Sequence, residues 1–515
     1  MDRTDANGAL IQAGSASQKT SLSQVALEAA LDRSDTSPKS GFQDLPVELL
    51  QVISRQVASG SAGDAAAGLH ALMLSNKFLK ASVLAETSVK EHYDFLQPLI
   101  GAFKALKPDL AIHQMNSQVL ALMGPKQRQE QVTAALRQTN ILGKSMVIAR
   151  LGAGLAHLSE SQREELVTAA LGLTDQFLKA KALAGLGAGL AYLSESQRED
   201  LVTAALGLAD ERDKAEAIAG LGAGLAHLSE SQREELVTAA LGLADEKHKA
   251  KALAGLGAGL AHLSESQREE LVTAALGLTN NWDKAQAIAG LGAGLAHLSE
   301  SQREDLVTAA LGLADERHKT QAIVGLDAGL AALERSQQEA LVTAVLNLTN
   351  ELLKAQAIAG LGAGLAALEG SQQQKLVTAA LNLTNEVLKA QAIAGLGAGL
   401  AALEGSQQQK LVTAALDLTS GLLKAQAIAG LGAGLAHLSE SQQQALVTAA
   451  LGLANGWERG KAIAGLGAGL VALDGTQQQA LVKAALGLAD GWHKALAITG
   501  LVNGYQASRV RGYLR

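Results

Sequence analysis

The chain has no cysteine among its 515 residues, which excludes disulfides, thiolate metal sites and a cysteine nucleophile. Aromatic residues are scarce (five Phe, four Tyr and three Trp), so a core must be built from Leu, Ala, Ile and Val. The five prolines, Pro38, Pro46, Pro98, Pro108 and Pro125, all lie early, and none occurs from Lys126 to Arg515. That suits uninterrupted helices joined by tight turns. Positive charge is not in excess. A net charge of −7 makes no cationic nucleic-acid footprint. Long apolar runs are missing as well. Stretches such as Ala217–Ala226 reach about ten residues, and a bilayer helix needs about 20. No basic segment followed by an apolar one opens the chain. Neither a membrane span nor a cleavable signal peptide is therefore expected.

What is abundant is repetition. The string Leu-Val-Thr-Ala-Ala-Leu or a near copy begins at Leu166, Leu201, Leu236, Leu271, Leu306, Leu341, Leu376, Leu411, Leu446 and Leu481, always 35 residues apart. A worn copy starts at Gln131. About eleven registers cover residues 116–505, and self-similarity at this period marks a stacked-repeat architecture.

Within the copy from Asp210 to Leu243, Asp210 reads as a helix N-cap. The same column holds Asn140, Asp175, Asp245, Asn280, Asp315, Asn350, Asn385, Ser420, Asn455 and Asp490, all good caps. Ile218, Leu221, Leu225 and Leu228 form an apolar stripe. Ser229-Glu230-Ser231-Gln232 is a capping box opening a second helix, whose stripe is Leu236, Ala240 and Leu243. Each repeat is thus expected to be two antiparallel helices of about 17 and 13 residues. Gly220, Gly222 and Gly224 would each cost about 1 kcal/mol against Ala inside a helix, so a gain must offset them. Close approach of the neighbouring repeat is the gain expected. The fold class that follows is all-α: an α-solenoid of helix-turn-helix repeats with end repeats as caps. At about 10 Å per layer it would form a rod on the order of 100 Å long. The array resembles HEAT and armadillo repeats.

The first third differs. Ten of residues 1–40 are Ser or Thr, and this stretch reads as disordered and as a candidate secretion signal. Residues 41–90 read as a small helical module, 91–115 as a helical connector or cap, and 506–515 as a C-terminal tail. The module carries Leu45-Pro46-Val47-Glu48-Leu49-Leu50-Gln51-Val52-Ile53 and, later, Leu74-Ser75-Asn76-Lys77-Phe78. These residues resemble the opening and closing motifs of an F-box, with a Gly/Ser/Ala insert between them and Asn76 at a usually basic position. The resemblance covers about 45 residues. It implies that Leu45, Pro46, Glu48, Leu49, Leu50, Ile53, Leu74 and Phe78 contact a Skp-type linker protein, joining a cullin-type ubiquitin ligase, while the repeats hold a target. The same stretch also reads as an N-terminal cap of the solenoid. A Ser-rich start, a borrowed module and near-identical repeats together resemble bacterial type III effectors, which implies secretion into a host cell's cytoplasm or nucleus.

The columns that vary between copies carry the functional reading. Two residues after each cap the series runs Leu142, Phe177, Arg212, Lys247, Trp282, Arg317, Leu352, Val387, Leu422, Trp457 and Trp492, and it takes in all three tryptophans. No core position accepts Arg, Trp and Val in turn, so this column is expected to face solvent along one edge. Trp and Arg are common interface anchors, and exposed apolar residues in a row call for a cover. Phe177 to Trp492 are taken as a target-protein-binding edge, with a drifting surface column as the other reading. Four residues after each cap stands a basic ladder from Lys144 to Lys494, read as salt bridging or a solvated face rather than phosphate tracking. A DNA-reading repeat array is set aside because the first helix is long, no Gly-Gly turn adjoins the variable column and the charge is negative.

No catalytic constellation, cofactor motif or metal site stands out. The string Gly220–Gly224 lies inside a helix and recurs, unlike a phosphate loop. His157, His227, His262, His297 and His437 sit one or more layers apart, too far to share a metal. The chain is read as a non-enzymatic adaptor linking a target to a ubiquitin ligase, or alternatively as a helical-repeat scaffold or inhibitor without that link.

Overall fold

The computed structural model describes residues 87–106, 117–138, 140–489 and 491–513. The F-box-like residues Leu45, Pro46, Glu48, Leu49, Leu50, Ile53, Leu74 and Phe78, and the cap Asp490, lie outside the described residues. The described residues are helical, with no strand among them. Three helices come first: α1 (Thr87–Ala105), α2 (Ser117–Leu122) and α3 (Pro125–Leu136). The 35-residue repeats follow, ten of them with a leading and a trailing helix and the last with a leading helix alone.

In the repeat opened by Asp210, the leading helix is Glu211–Gly222 and the trailing helix Glu230–Leu241, with a 3-10 segment, Leu225–His227, between them. The next copy has Glu246–Leu256, then 3-10 turns over Gly257–His262. The sequence predicts one leading helix of about 17 residues. In the ten paired repeats the structure divides that span into 10–12 α-helical residues and a shorter 3-10 stretch, whereas the last leading helix runs unbroken for 23 residues. The glycines, which weaken the α-ladder, fall where the helix tightens. The caps behave as read at nine described positions from Asn140 to Asn455, each side chain accepting from a first-turn amide. Ser420 is the exception and makes no side-chain cap bond. Ser229 accepts from the Gln232 amide at 3.2 Å, and Gln232 Oε1 accepts from the Ser229 amide at 2.9 Å, the reciprocal bonding of a capping box. The predicted stripe Ile218, Leu221, Leu225, Leu228, Leu236, Ala240 and Leu243 is buried throughout.

The glycines set the curvature. A Cβ added at Gly220 would lie 2.2 Å from Ala184 Cα of the preceding repeat, and one at Gly222 would lie 2.1 Å from the Gly255 carbonyl oxygen of the following repeat. Leading helices therefore touch backbone to backbone. Trailing helices meet through long side chains, as where Gln162 Nε2 donates to Gln129 Oε1 at 2.7 Å and Gln442 Nε2 to Gln409 Oε1 at 3.0 Å. The row of leading helices is the shorter one, so the stack bends with leading helices inside and trailing helices outside.

The bend runs far enough for the ends to meet. The last leading helix, Gly491–Tyr513, packs on α1 and α2, and α2 packs on the first 3-10 segment, Leu155–His157. Phe95 stacks on Tyr505 with centroids 3.9 Å apart, and a Cβ at Gly491 would touch Leu106 Cδ2 at 3.7 Å. One hydrophobic cluster runs from Leu96 to Tyr505. The open rod of about 100 Å expected from stacking alone is replaced by a closed circuit. Each end of a repeat stack leaves an apolar face that must be covered, and here the two ends cover each other.

Candidate functional site

Equivalent residues of successive leading helices face each other, so these helices run parallel and their N-termini share one rim. At seven of the described N-termini the cap binds the backbone of the variable residue, whereas Asp175 and Asp245 bind the amide one residue further on and Ser420 makes no cap bond. The Trp282 amide donates to Asn280 Oδ1 at 2.9 Å, Leu352 to Asn350 at 2.9 Å, Val387 to Asn385 at 2.8 Å and Arg212 to Asp210 at 2.9 Å. The main chain is fixed while the side chain stays free, so this column can change its chemistry without disturbing the stack.

The residue just before it locks the rim together, a function the sequence reading missed. Glu246 accepts from the Thr279 amide, the Thr279 hydroxyl and the Asn280 amide of the next repeat, each at 3.0 Å. Glu316 does the same for Thr349 and Asn350. Glu211 accepts from Ala244 and Asp245, and Gln176 Oε1 from Ala209. Hydrogen bonds from the Asn280 amide and then the Thr279 hydroxyl hold the Glu246 carboxyl below its ordinary range. Backbone amides do the same for Glu211 and Glu316. The Glu recurring beside five of the caps, at Glu211, Glu246, Glu316, Glu351 and Glu386, was the available signal.

The variable column faces solvent on the inner side. Trp282 is 49% exposed and Val387 53%, and Arg212, Lys247, Arg317, Leu352, Leu422 and Trp492 are exposed too, while Phe177 and Trp457 are half-buried. Variable residues touch side chains of the adjacent repeat. The Arg212 guanidinium lies over the Phe177 ring at 5.0 Å, and the Trp282 ring meets His318 edge-on at 5.7 Å. One helical turn further on, Lys181 caps Phe177 at 4.3 Å and Lys461 caps Trp457 at 5.2 Å, while Lys251 pairs with Glu216 across the repeat boundary. These residues share one face, floored further down by exposed alanines such as Ala223 and Ala258.

The following column is the more buried one, although its His318 reaches the Trp282 ring. Leu178, Asp213, Asp283 and Leu423 are buried, and burial raises the Asp213 and Asp283 carboxyls. The basic ladder is half-buried and lies about 200° round the helix from the variable column. No ion pair to it occurs among the described residues. Its charge acts on the carboxylate three residues earlier, as Lys249 does on Glu246 and Lys319 on Glu316. Of the histidine column, His227, His262, His297 and His437 are exposed near the opposite ends of these helices, and no cluster of metal-ligating side chains occurs among the described residues. No described helix is long and apolar enough to cross a membrane.

No protein-family model matches the chain, and no curated protein matches it in sequence. Among solved structures, the crystal structure of Kap121p aligns at 10% identity with a TM-score of 0.39. It covers 96% of this chain and 57% of that one. The karyopherin Kap121p bound to the extreme C-terminus of the protein phosphatase Cdc14p aligns at 11% identity and a TM-score of 0.39, covering 96% and 56%. Kap121p bound to Pho4p aligns at 11% and 0.38, covering 95% and 56%. The chain spans a little over half the length of these structures.

Proposed function

We propose that the closed helical-repeat stack is a protein-binding scaffold that reads its partner with the inner rim. The observation that carries this reading is the variable column. Large apolar and charged side chains stand exposed in a single register, on backbones that the caps hold fixed. A free surface of this kind loses little by becoming polar, yet Leu352, Val387 and Leu422 are three apolar members in succession. Photo-cross-linking in cells tests the reading. A photoreactive residue at Val387 should capture a discrete protein partner, and one at Glu234, on the outer trailing helix, should not. Identical capture from both positions would overturn it.

A narrower form of this function rests on Leu45-Pro46-Val47-Glu48-Leu49-Leu50-Gln51-Val52-Ile53 alone. The F-box-like stretch would join the scaffold to a Skp-type linker and so to a ubiquitin ligase, as an effector delivered into a host cell would use it. Wild-type protein should then retain the linker in a pull-down, and Leu45→Ala with Pro46→Ala should release it. A wild type that retains no linker removes the ligase role and leaves the scaffold untouched.

A further inference from the structure

We infer that the opening enclosed by the leading helices receives a single acidic, amphipathic α-helix from a partner protein, an inference that rests on the scaffold function above. Size sets the first limit. The eleven leading helices of the repeats and the α1–α2 unit make twelve positions around the circuit. Backbone contact through glycine puts neighbouring axes near the short end of the usual spacing, about 8 Å. The circle is then about 30 Å across between axes, and the opening is on the order of 20 Å after allowing one helix diameter. A folded domain of ordinary size is wider than that, whereas one helix of about 10–12 Å fits.

Closure sets the second limit, because it places two unlike arcs opposite each other. One half of the rim presents Arg212, Lys247 and Arg317, with Lys181 just inside. The inward-facing acid on this stretch, Glu216, is paired with Lys251. The rim acids Glu211, Glu246 and Glu316 are turned into the loop amides of the following repeat, and the exposed cap carboxylates Asp210, Asp245 and Asp315 are turned into the first-turn amides of their own helices. The other half presents Leu352, Val387, Leu422, Trp457 and Trp492, apolar members in five consecutive repeats. A segment with one apolar and one acidic face satisfies both arcs at once, and an amphipathic helix is the element that carries two such faces. The Gln286, Gln321, Gln356, Gln391 and Gln426 carboxamides run inside the rim and add no net charge. The apolar arc favours such a helix over a single nucleic-acid strand, which would want cations all round.

Fluorescence anisotropy on the full chain tests this. The probe is a labelled peptide of about 20 residues made of Leu, Ala and Glu, with Leu on one helical face. Three competitors are its scrambled sequence, its Lys-for-Glu analogue and a single-stranded oligonucleotide. The acidic amphipathic peptide should bind saturably and about tenfold or more tighter than all three. Combined Arg212→Glu, Lys247→Glu and Arg317→Glu should weaken it about tenfold or more, and so should Leu352→Ser with Leu422→Ser. Both sets change exposed side chains in opposite halves of the circuit, and unchanged thermal melts verify that each variant is folded. Binding no tighter than the scrambled peptide, equal binding of the Lys analogue or the oligonucleotide, or indifference to both variant sets would overturn the inference. Cross-linking from Val387 that persists while the peptide fails would leave the scaffold standing and remove the acidic helix.

Discussion

Phe95 in α1 and Tyr505 in the last leading helix stack face to face, 3.9 Å between centroids and 19° from coplanar, although they come from opposite ends of the described chain. The contact sits in a seam of buried side chains, including Leu96, Leu99, Phe103, Leu501 and Val502. Its loss should loosen the closure without unstacking the repeats. Tyr505→Ala should speed amide hydrogen exchange in α1 and the last helix and leave the helices between Asp210 and Leu346 protected. Uniform faster exchange along the whole chain would mean that the seam is not a separate unit.

Close approach at the glycines gives a second expectation. Gly220→Ala puts a methyl 2.2 Å from backbone that cannot move aside, and it should destabilise by at least about 2–3 kcal/mol. Gly277→Ala, at the end of a trailing helix with nothing within 4 Å, should be neutral or stabilise by up to about 1 kcal/mol. Thermal melts of the two variants measure the difference. Equal melting temperatures would mean that leading helices do not touch as described.

One layer departs from the pattern. In the repeat opened by Asp315, Thr320 and Val324 stand where most other copies have Ala, and Asp327 stands where most have Gly. Gly360 of the next repeat faces the Val324 methyls rather than an alanine, the Thr320 hydroxyl is buried without a partner, and the buried Asp327 accepts from the Gly364 amide at 3.0 Å. Burial pushes the Asp327 carboxyl up to about 6. A carboxyl raised in the folded state is neutral there while already ionised in the unfolded chain, so stability falls as pH rises from about 4 to about 6 and stays lower above that. Asp327→Asn keeps the shape and the acceptor. It should be more stable than wild type at pH 7 by about 1–3 kcal/mol and should lack this slope. An unchanged slope in melts from pH 4 to 7 would exclude Asp327 as its source.

The rim carboxylates titrate with the opposite sign. Glu246 is held below its ordinary range by the next repeat's amides and hydroxyl, so its contribution is present above the unfolded value and is lost as pH falls through the lower folded one. Glu246→Ala should lower the protection of the Thr279 and Asn280 amides at neutral pH, as acid should in wild type once exchange is referred to the intrinsic rate at each pH. Exchange at those amides that ignores both changes would show that the contact does not hold the rim.

Much of this was legible in the sequence. The period of 35, the caps from Asn140 to Asn455, the stripe from Ile218 to Leu243 and the exposure of the Trp282 column each follow from local patterns repeated many times. What was not legible depends on differences between rows. Curvature comes from how much closer leading helices approach than trailing ones, which no single repeat reveals, and closure depends on Phe95 and Tyr505, which lie outside the repeated pattern. The shortened leading helix was hidden because Gly220, Gly222 and Gly224 fit both an α-helix and a tighter turn. Glu246 reads as an ordinary first-turn acid until the next repeat's loop is placed beside it.

Closure is tested most directly by the distance between the two ends. The chain has no cysteine, so Gln97→Cys and Trp492→Cys, both at exposed positions, accept spin labels without competition. Pulsed dipolar spectroscopy should give a narrow distribution centred below about 35 Å, because α1 lies along the last helix. An open stack of eleven layers would separate the labels by on the order of 100 Å and give no dipolar modulation, and that result would contradict the closed circuit.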